Sequence, residues 1–365
     1  MKDCIIIGGG LIGMLSARAL RRRGLSVGII ERGPFGRAAS WAGGGILSPL
    51  YPWREAPAVI RLAALGAGMY PALARELAGS TGIDPEWRPC GILNLEANDA
   101  EPALAWARQH GFEMNVIAAA AIPALEPRLS AQNLSALYRP NVAQIRNPRL
   151  LKALQQDLRN RGVDLLAEEE VVAIETRNGR VAGIRTAGDT IYRCENVVIA
   201  NGAWSSRLLQ GTGVNLDIRP IRGQMILLQG APGMLRHIVL QQGHYLIPRA
   251  DGAIVAGSTV EDVGFNPSTT EQGLLEIKQF IAALAPGLAE LPVAKHWAGL
   301  RPGCGQGIPY IGAHPRIEGL YVNAGHFRNG IVMAPASAEL LAALMLGKTP
   351  PLHSSPYSLQ RNTPE

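Results

Sequence analysis

The chain opens with a strand, a glycine turn and a helix in one register, and that order restricts its fold more than any other feature. Cys4-Ile5-Ile6-Ile7 is an apolar run of strand length. Gly8-Gly9-Gly10-Leu11-Ile12-Gly13 follows, then a helix, then a second apolar run, Ser26-Val27-Gly28-Ile29-Ile30, which stops at Glu31. Gly8 permits the tight turn out of the strand, Gly10 lets a diphosphate approach the backbone, and Gly13 lets the helix pack closely on the sheet. The helix start offers unpaired N–H groups and a positive dipole end to phosphates. Glu31 stands 18 residues beyond Gly13, the spacing at which a carboxylate accepts hydrogen bonds from ribose hydroxyls. Together these parts specify a βαβ unit that binds a dinucleotide.

The remaining composition excludes several classes. A length of 365 residues with 47% hydrophobic and 18% charged residues suits a globular chain of two or three domains. No uninterrupted apolar run approaches the ~18 residues of a membrane span, and glycines break the apolar N-terminus where a signal peptide would need continuity. Neither membrane association nor secretion is expected, and cytoplasm is the expected location. Cys4, Cys90, Cys194 and Cys304 form no close pair, so they read as reduced thiols rather than a disulfide or metal framework. The net charge of +6 comes partly from Arg18, Arg21, Arg22 and Arg23, expected on a solvated surface. Aromatic residues are only 5% and do not alternate with basic ones, which argues against nucleic acid.

Further along, Ala38 to Ile46 holds small residues and three consecutive glycines, which let backbone approach something flat or bulky. An amphipathic helical stretch is expected from Ala56 to Ala78, and another helix from Arg149 to Arg161. Strands follow at Val163–Ala167 and Val171–Ile174, with a hairpin signal at Arg177-Asn178-Gly179-Arg180. Val197-Val198-Ile199-Ala200 is a buried-strand run that ends in a turn through Trp204. Alternating strands at Gln224–Leu228, His237–Leu240, Tyr245–Ile247 and Ile254–Gly257, interrupted by one helix near Glu271–Ala285, predict a mostly antiparallel sheet. The fold class is therefore α/β (α+β overall). A Rossmann-like domain is expected from residues 1–83, 145–215 and 301–347, with a substrate domain from 84–144 and 216–300. The Pro- and Ser-rich segment 348–365 reads as a flexible tail.

At this point a resemblance becomes specific. The N-terminal glycine turn with Glu31, the Ala200-Asn201-Gly202-Ala203-Trp204-Ser205 turn and the C-terminal block resemble the D-amino acid oxidase family of FAD-dependent enzymes. Tyr245-Leu246-Ile247-Pro248-Arg249, Trp297-Ala298-Gly299-Leu300-Arg301-Pro302-Gly303 and Gly325-His326-Phe327-Arg328-Asn329-Gly330-Ile331 are similar to its glycine-oxidising branch, which serves thiamine biosynthesis. A second dinucleotide turn is not evident. Gly303-Cys304-Gly305-Gln306-Gly307 has glycines, but a strand signal follows instead of a helix. That favours a flavin reoxidised by dioxygen over a pyridine-nucleotide reductase. A D-amino acid dehydrogenase that passes electrons to a quinone is the alternative.

The resemblance implies roles residue by residue. FAD would be held noncovalently by Gly8, Gly10, Leu11, Ile12 and Gly13, with Glu31 and Arg32 on the adenosine side and Val171 offering backbone to the adenine. Ala39, Ser40, Gly44, Gly45 and Ile46 would line the approach to the flavin, as would His326, Phe327, Arg328, Asn329, Gly330, Ile331 and Val332. Tyr245, Arg301 and Arg328 would hold the substrate, since a planar Arg fork with a hydroxyl donor suits a carboxylate. No catalytic side chain is required: the flavin takes a hydride from Cα and the protein supplies orientation. The implied partners are a small amino acid and dioxygen, with a homotetramer as the assembly. No metal site is expected.

Overall fold

A continuous apolar run places the first strand in the interior of a sheet. The computed structural model describes residues 1–96, 99–130 and 135–361. In the strand Lys2–Ile7, Cys4 and Ile6 pack into one core with Met14 and Leu20, while Ile5 and Ile7 pack into another with Val197 and Val322. A strand buried on both faces is what parallel pairing requires. Lys2–Ile7 pairs in parallel with Val27–Ile30 and with Ile191–Ile199, which pairs in parallel with Leu320–Ala324. Asp164–Leu166 adds a parallel edge beyond Val27–Ile30, and Tyr310–Ala313 an antiparallel one beyond Leu320–Ala324. The hairpin of Val171–Arg177 and Arg180–Thr186 joins through Ile191–Ile199. Its two-residue turn has Asn178 at φ 52° and Gly179 at φ 75°, the left-handed pair that twists with the strands.

The second sheet has eight strands in the order Val293–Gly303, Arg219–Leu228, Ile254–Gly257, His244–Pro248, Ile238–Gln241, Ile92–Asn94, Ala136–Arg139 and Asn115–Ile117. Every pairing is antiparallel except Ile238–Gln241 with Ile92–Asn94. The helix Glu271–Leu284 buries Ile277 and Ile281 against this sheet and is capped by Thr270, whose hydroxyl accepts the Gly273 N–H. Residues from the strand ends of the first sheet and from strands of the second line one cavity.

Four expectations need correction. The strand Val293–Gly303 runs unbroken through position 301, and Arg301 pairs with Ile221, so a boundary between 300 and 301 would cut a ladder. Arg18 is not a surface residue: its guanidinium is buried and bonds Asp157 at 3.0 Å and Glu76 at 2.6 Å. The helix Pro57–Thr81 runs longer than predicted and, by length and composition alone, could cross a membrane. Here it is a core element, with Tyr70 fully buried and its hydroxyl donating to Ile331 O at 2.5 Å. The tail is docked as far as Arg361, and residues 362–365 lie outside the described residues. Tyr357 is 1% exposed and donates to Ala58 O at 2.8 Å, and Arg361 donates to Ile308 O and Pro309 O. A polar composition concealed this, because the anchor is one aromatic ring.

Tyr357→Ala should therefore lower stability by about 3–5 kcal/mol, the usual cost of emptying a large buried aromatic site. Tyr357→Phe should cost about 0.5–1.5 kcal/mol for one hydrogen bond. Urea unfolding monitored by circular dichroism would distinguish these values from the near-zero effect of a loose tail.

Candidate functional site

The site is built where parallel strands end. Ile7, Ile30, Ala200 and Ala324, at or just beyond the C-terminal ends of four strands of the first sheet, all line one cavity of about 400 Å³. Open α/β sheets place ligands outside these strand ends. The turn after the first strand is as tight as its glycines allow. Gly8 has φ +115°, and a Cβ on Gly13 would stand 1.9 Å from Gly8 O. No side chain caps the helix Leu11–Arg21 at Gly10, and Ser40 Oγ accepts the Leu11 N–H at 2.9 Å. The Glu31 carboxylate accepts the N–H of Gly9 at 2.7 Å and of Gly33 at 3.3 Å. Burial raises its pKa, and those amide donors oppose the rise.

Gly8, Gly10, Leu11, Ile12, Glu31, Arg32, Ala39, Ser40, Gly44, Gly45, Ile46 and Val171 all line the cavity, as do residues His326 through Ile331. Two residues expected there do not. Gly13 lies behind the turn, where its missing Cβ admits the helix, and Val332 is turned into the core with its carbonyl against Gly66. The Arg32 guanidinium lies 3.7 Å from the centre of the Trp204 ring, forming a flat cation–aromatic surface at the Glu31 end. Trp204, Arg207 and Met225 also line the cavity but were not singled out by sequence. For Trp204 the signal was its tight turn after a strand; for Met225 nothing local marks it.

Tyr245 and Arg301, from two strands of the second sheet, meet Arg328, from the turn after the first-sheet strand Leu320–Ala324, in the same cavity. Arg301 can lie across the sheet because Gly223, on the neighbouring strand, has no Cβ; one there would stand 2.1 Å from Nη1. Nη1 donates to Arg222 O at 3.3 Å and Thr259 O at 3.2 Å, and Nη2 donates to Ser258 Oγ at 2.7 Å. With those bonds made, the Nε–H and one Nη2 hydrogen remain for another acceptor. Burial pulls the Arg301 pKa below its ordinary value; Tyr245 opposes this and the nearby Arg328 charge adds to it. Arg328 is tied to Gly243 O at 3.2 Å, and the Tyr245 hydroxyl faces Met225 Sδ at 3.7 Å. This part of the cavity can therefore hold an anion.

His326 is a weak base held in place by its neighbours. Its Nε2 lies 2.9 Å from Ser337 Oγ, whose hydroxyl donates to Met333 O, and burial pushes the ring pKa down to about 3. Phe327, beside it, is held at φ 45°, a left-handed conformation that costs a non-glycine residue about 1–3 kcal/mol.

A family model described as FAD dependent oxidoreductase (DAO) matches residues 3–344. The chain belongs to the DAO family of FAD dependent oxidoreductases. A glycine oxidase of Pseudomonas aeruginosa is 44% identical over 355 residues, 97% of each chain. A bifunctional ThiO/ThiG protein of Trichormus variabilis is 30% identical over 99% of this chain and 56% of its own length. The crystal structure of glycine oxidase from Geobacillus kaustophilus superposes with a TM-score of 0.95 at 30% identity, covering 100% of this chain and 99% of that one. As a member of this DAO family the chain uses FAD. The cavity fits that group: a glycine cradle and helix start for the diphosphate, and a buried carboxylate at one end. None of the four cysteines lines the cavity. Cys304 is turned away, within hydrogen-bond distance of Gly325 O and Ile308 O, and burial raises its thiol to about 11.

FAD should consequently leave the polypeptide intact on acid denaturation, read by absorbance of the protein-free supernatant; flavin retained in the pellet would contradict this. Glu31→Ala should weaken FAD binding by about 1.5–3 kcal/mol through loss of a charge-assisted hydrogen bond. Fluorescence titration of the apoprotein measures it, and an unchanged dissociation constant would place Glu31 outside the FAD contacts.

Proposed function

We propose that this chain oxidises glycine, with sarcosine and small D-amino acids as further substrates. The products would be the imine, hydrolysed to the 2-oxo acid and ammonia, and hydrogen peroxide from dioxygen. The observation that carries the reading is the convergence of Tyr245, Arg301 and Arg328 in the cavity that Glu31 also lines. The family's named glycine oxidases support it. Bound FAD supplies the electron sink for the Cα hydride and returns the electrons to dioxygen.

The chain's own residues supply binding and orientation. Arg301 takes the substrate carboxylate through its remaining Nε–H and Nη2–H, a two-pronged contact that fixes the plane of the carboxylate. Tyr245 adds one hydroxyl donor, and Arg328 adds positive charge. Because carboxylate and Cα are one bond apart, fixing the first places the second, which is the positioning that brings reactants to near-attack distance. Glu31 and Arg32 with Trp204 would hold the adenosine side of the cofactor, so on this reading the first sheet's turns serve FAD, while Tyr245 and Arg301 of the second sheet serve substrate together with Arg328. The ThiO/ThiG relative supports a further proposal, that the imine feeds the thiazole of thiamine. A cytoplasmic homotetramer acting without membrane or nucleic acid completes the reading.

A substrate panel of glycine, sarcosine, D-alanine, D-proline and L-amino acids, monitored for oxygen uptake and peroxide, tests the activity. Flavin reduction without oxygen uptake, relieved by an added quinone, would favour the dehydrogenase instead. Removing one partner of a buried, hydrogen-bonded charge pair costs about 2–5 kcal/mol. Arg301→Ala should therefore cut kcat/KM for glycine by at least about tenfold, and by about three hundredfold at the middle of that range, with FAD content retained. Arg301→Lys should rescue only part, since an ammonium cannot make the fork. Tyr245→Phe should cost less, about 0.5–3 kcal/mol. Near-normal kcat/KM in FAD-loaded Arg301→Ala would pass the anchoring role to Arg328.

A further inference from the structure

Arg249 directly follows the strand His244–Pro248 that carries Tyr245, and the substrate reading leaves it without a task. Arg249 is 7% exposed, and among the described residues no carboxylate forms an ion pair with it. Its Nη1 donates to Gln144 Oε1 at 2.6 Å and to Ile145 O at 3.2 Å, and its Nη2 donates to Gly44 O at 2.8 Å. Asn147 works beside it, with Nδ2 donating to Ser40 O at 2.8 Å and Gly43 O at 2.9 Å. Neither Arg249 nor Asn147 lines the cavity, whereas Ser40, Gly43, Gly44 and Gly45 do. The carbonyls of this wall are thus drawn backward onto side-chain donors.

In a trans peptide the N–H points opposite the C=O. With the Gly44 carbonyl held behind the wall, the Gly45 N–H of the same peptide faces the cavity, and the Gly43 carbonyl likewise turns the Gly44 N–H inward. Both residues are buried, and neither N–H has a partner among the described residues. Buried amides without partners are rare unless a ligand serves them. The glycines are required: a Cβ on Gly44 would stand 2.7 Å from Ile247 Cδ1, and one on Gly45 (φ +80°) would stand 2.0 Å from Ile145 O.

We infer that Arg249 is a positioning residue for the flavin: its charge holds and polarises the Gly44–Gly45 peptide so that these amides stabilise the negative charge of the reduced ring. The inference rests on FAD lying along this wall. A hydrogen bond from a cation polarises the peptide and strengthens its N–H as a donor, and the buried charge itself acts through a low dielectric. Mere clamping does not need a guanidinium, since neutral Asn147 holds the two adjacent carbonyls. A buried cation without a carboxylate carries a desolvation cost that a structural clamp would not demand. Burial pulls its pKa down only to about 10, so it stays charged at neutral pH.

The test uses FAD-loaded enzyme and two readouts that need no amino acid. One is affinity for sulfite, which adds to the flavin ring and leaves it negatively charged; the other is the flavin midpoint potential. Arg249→Met removes the charge, and Gln144→Glu cancels it while keeping the Arg249 side chain, at the loss of the Gln144 Nε2 bond to Pro248 O. Both should weaken sulfite binding by at least about tenfold and move the potential negative by the equivalent, about 30 mV for a two-electron couple. Arg249→Lys keeps the charge and should stay within about threefold of the parent. With glycine, kcat should fall in the two uncharged variants while KM stays within about twofold, because the carboxylate anchor is on another strand. Parent-like sulfite affinity and potential in Arg249→Met and Gln144→Glu would overturn the inference and leave Arg249 a loop clamp. Should Arg249→Met not retain flavin, Gln144→Glu decides alone. A parent enzyme inactive on glycine, yet shifting in potential as stated, would sink only the substrate proposal.

Discussion

The close approach of the first helix to the first strand is the constraint on which the site depends. A Cβ on Gly13 would stand 1.9 Å from Gly8 O, and one on Gly8 would stand 2.5 Å from Ala200 O. Three backbones therefore meet at contact distance: the first strand's end, the helix start, and the end of Ile191–Ile199. That contact brings the helix N-terminus to the cavity and sets Glu31 at its far end, where Gly9 donates to the carboxylate. A side chain at either glycine would push the helix outward. The amide donors would then lose both their direction and the benefit of the dipole, which falls off within a turn.

The first sheet was readable because its information is local. Turn, helix start, strand and acid lie within the first 31 residues, and each obeys a period or conformational rule that needs no distant partner. Tyr245, Arg301 and Arg328 were found through motif resemblance, and the structure brings them to one end of one cavity. What stayed hidden depends on contacts between distant segments. Arg18 looked solvated because its partners Asp157 and Glu76 are far along the chain. The tail looked loose because Tyr357 packs against the helix that begins at Pro57. Arg249 lay inside a recognised motif without a role, since its task is defined by the backs of Gly44 and Ile145 rather than by its neighbours.

The cavity also has a consistent electrical character. Arg139, Arg249 and Arg301 are buried or nearly so, and each spends its donors on main-chain carbonyls and neutral side chains. Arg139 holds Ser48 and Leu50, two residues of the cavity wall, and burial pulls its pKa down to about 9. Carbonyl oxygens satisfy the geometry of a guanidinium but carry no net charge, so they leave these three charges uncancelled, in a cavity that Glu31, Glu169 and Glu170 line elsewhere. Such an arrangement is best balanced when its occupants bring negative charge, as a substrate carboxylate and a reduced flavin both do.

For the proposed substrate this has a chemical consequence. Glycine enters as a zwitterion, and Cα can release a hydride readily only once its amine is neutral. With the carboxylate bound at Arg301, the ammonium lies one carbon further into a region already positive from Arg301 and Arg328. Like charge and burial both disfavour the protonated amine and lower its pKa. The proton can then leave to solvent before hydride transfer, without a dedicated base. That fits a cavity in which His326 is held neutral by burial and the nearest acid the sequence marked, Glu31, is engaged with backbone amides at the other end. On the proposed reading, the guanidinium charges that would orient the carboxylate would also lower the amine's pKa, and the reaction would call for no acid–base residue beside the reacting carbon.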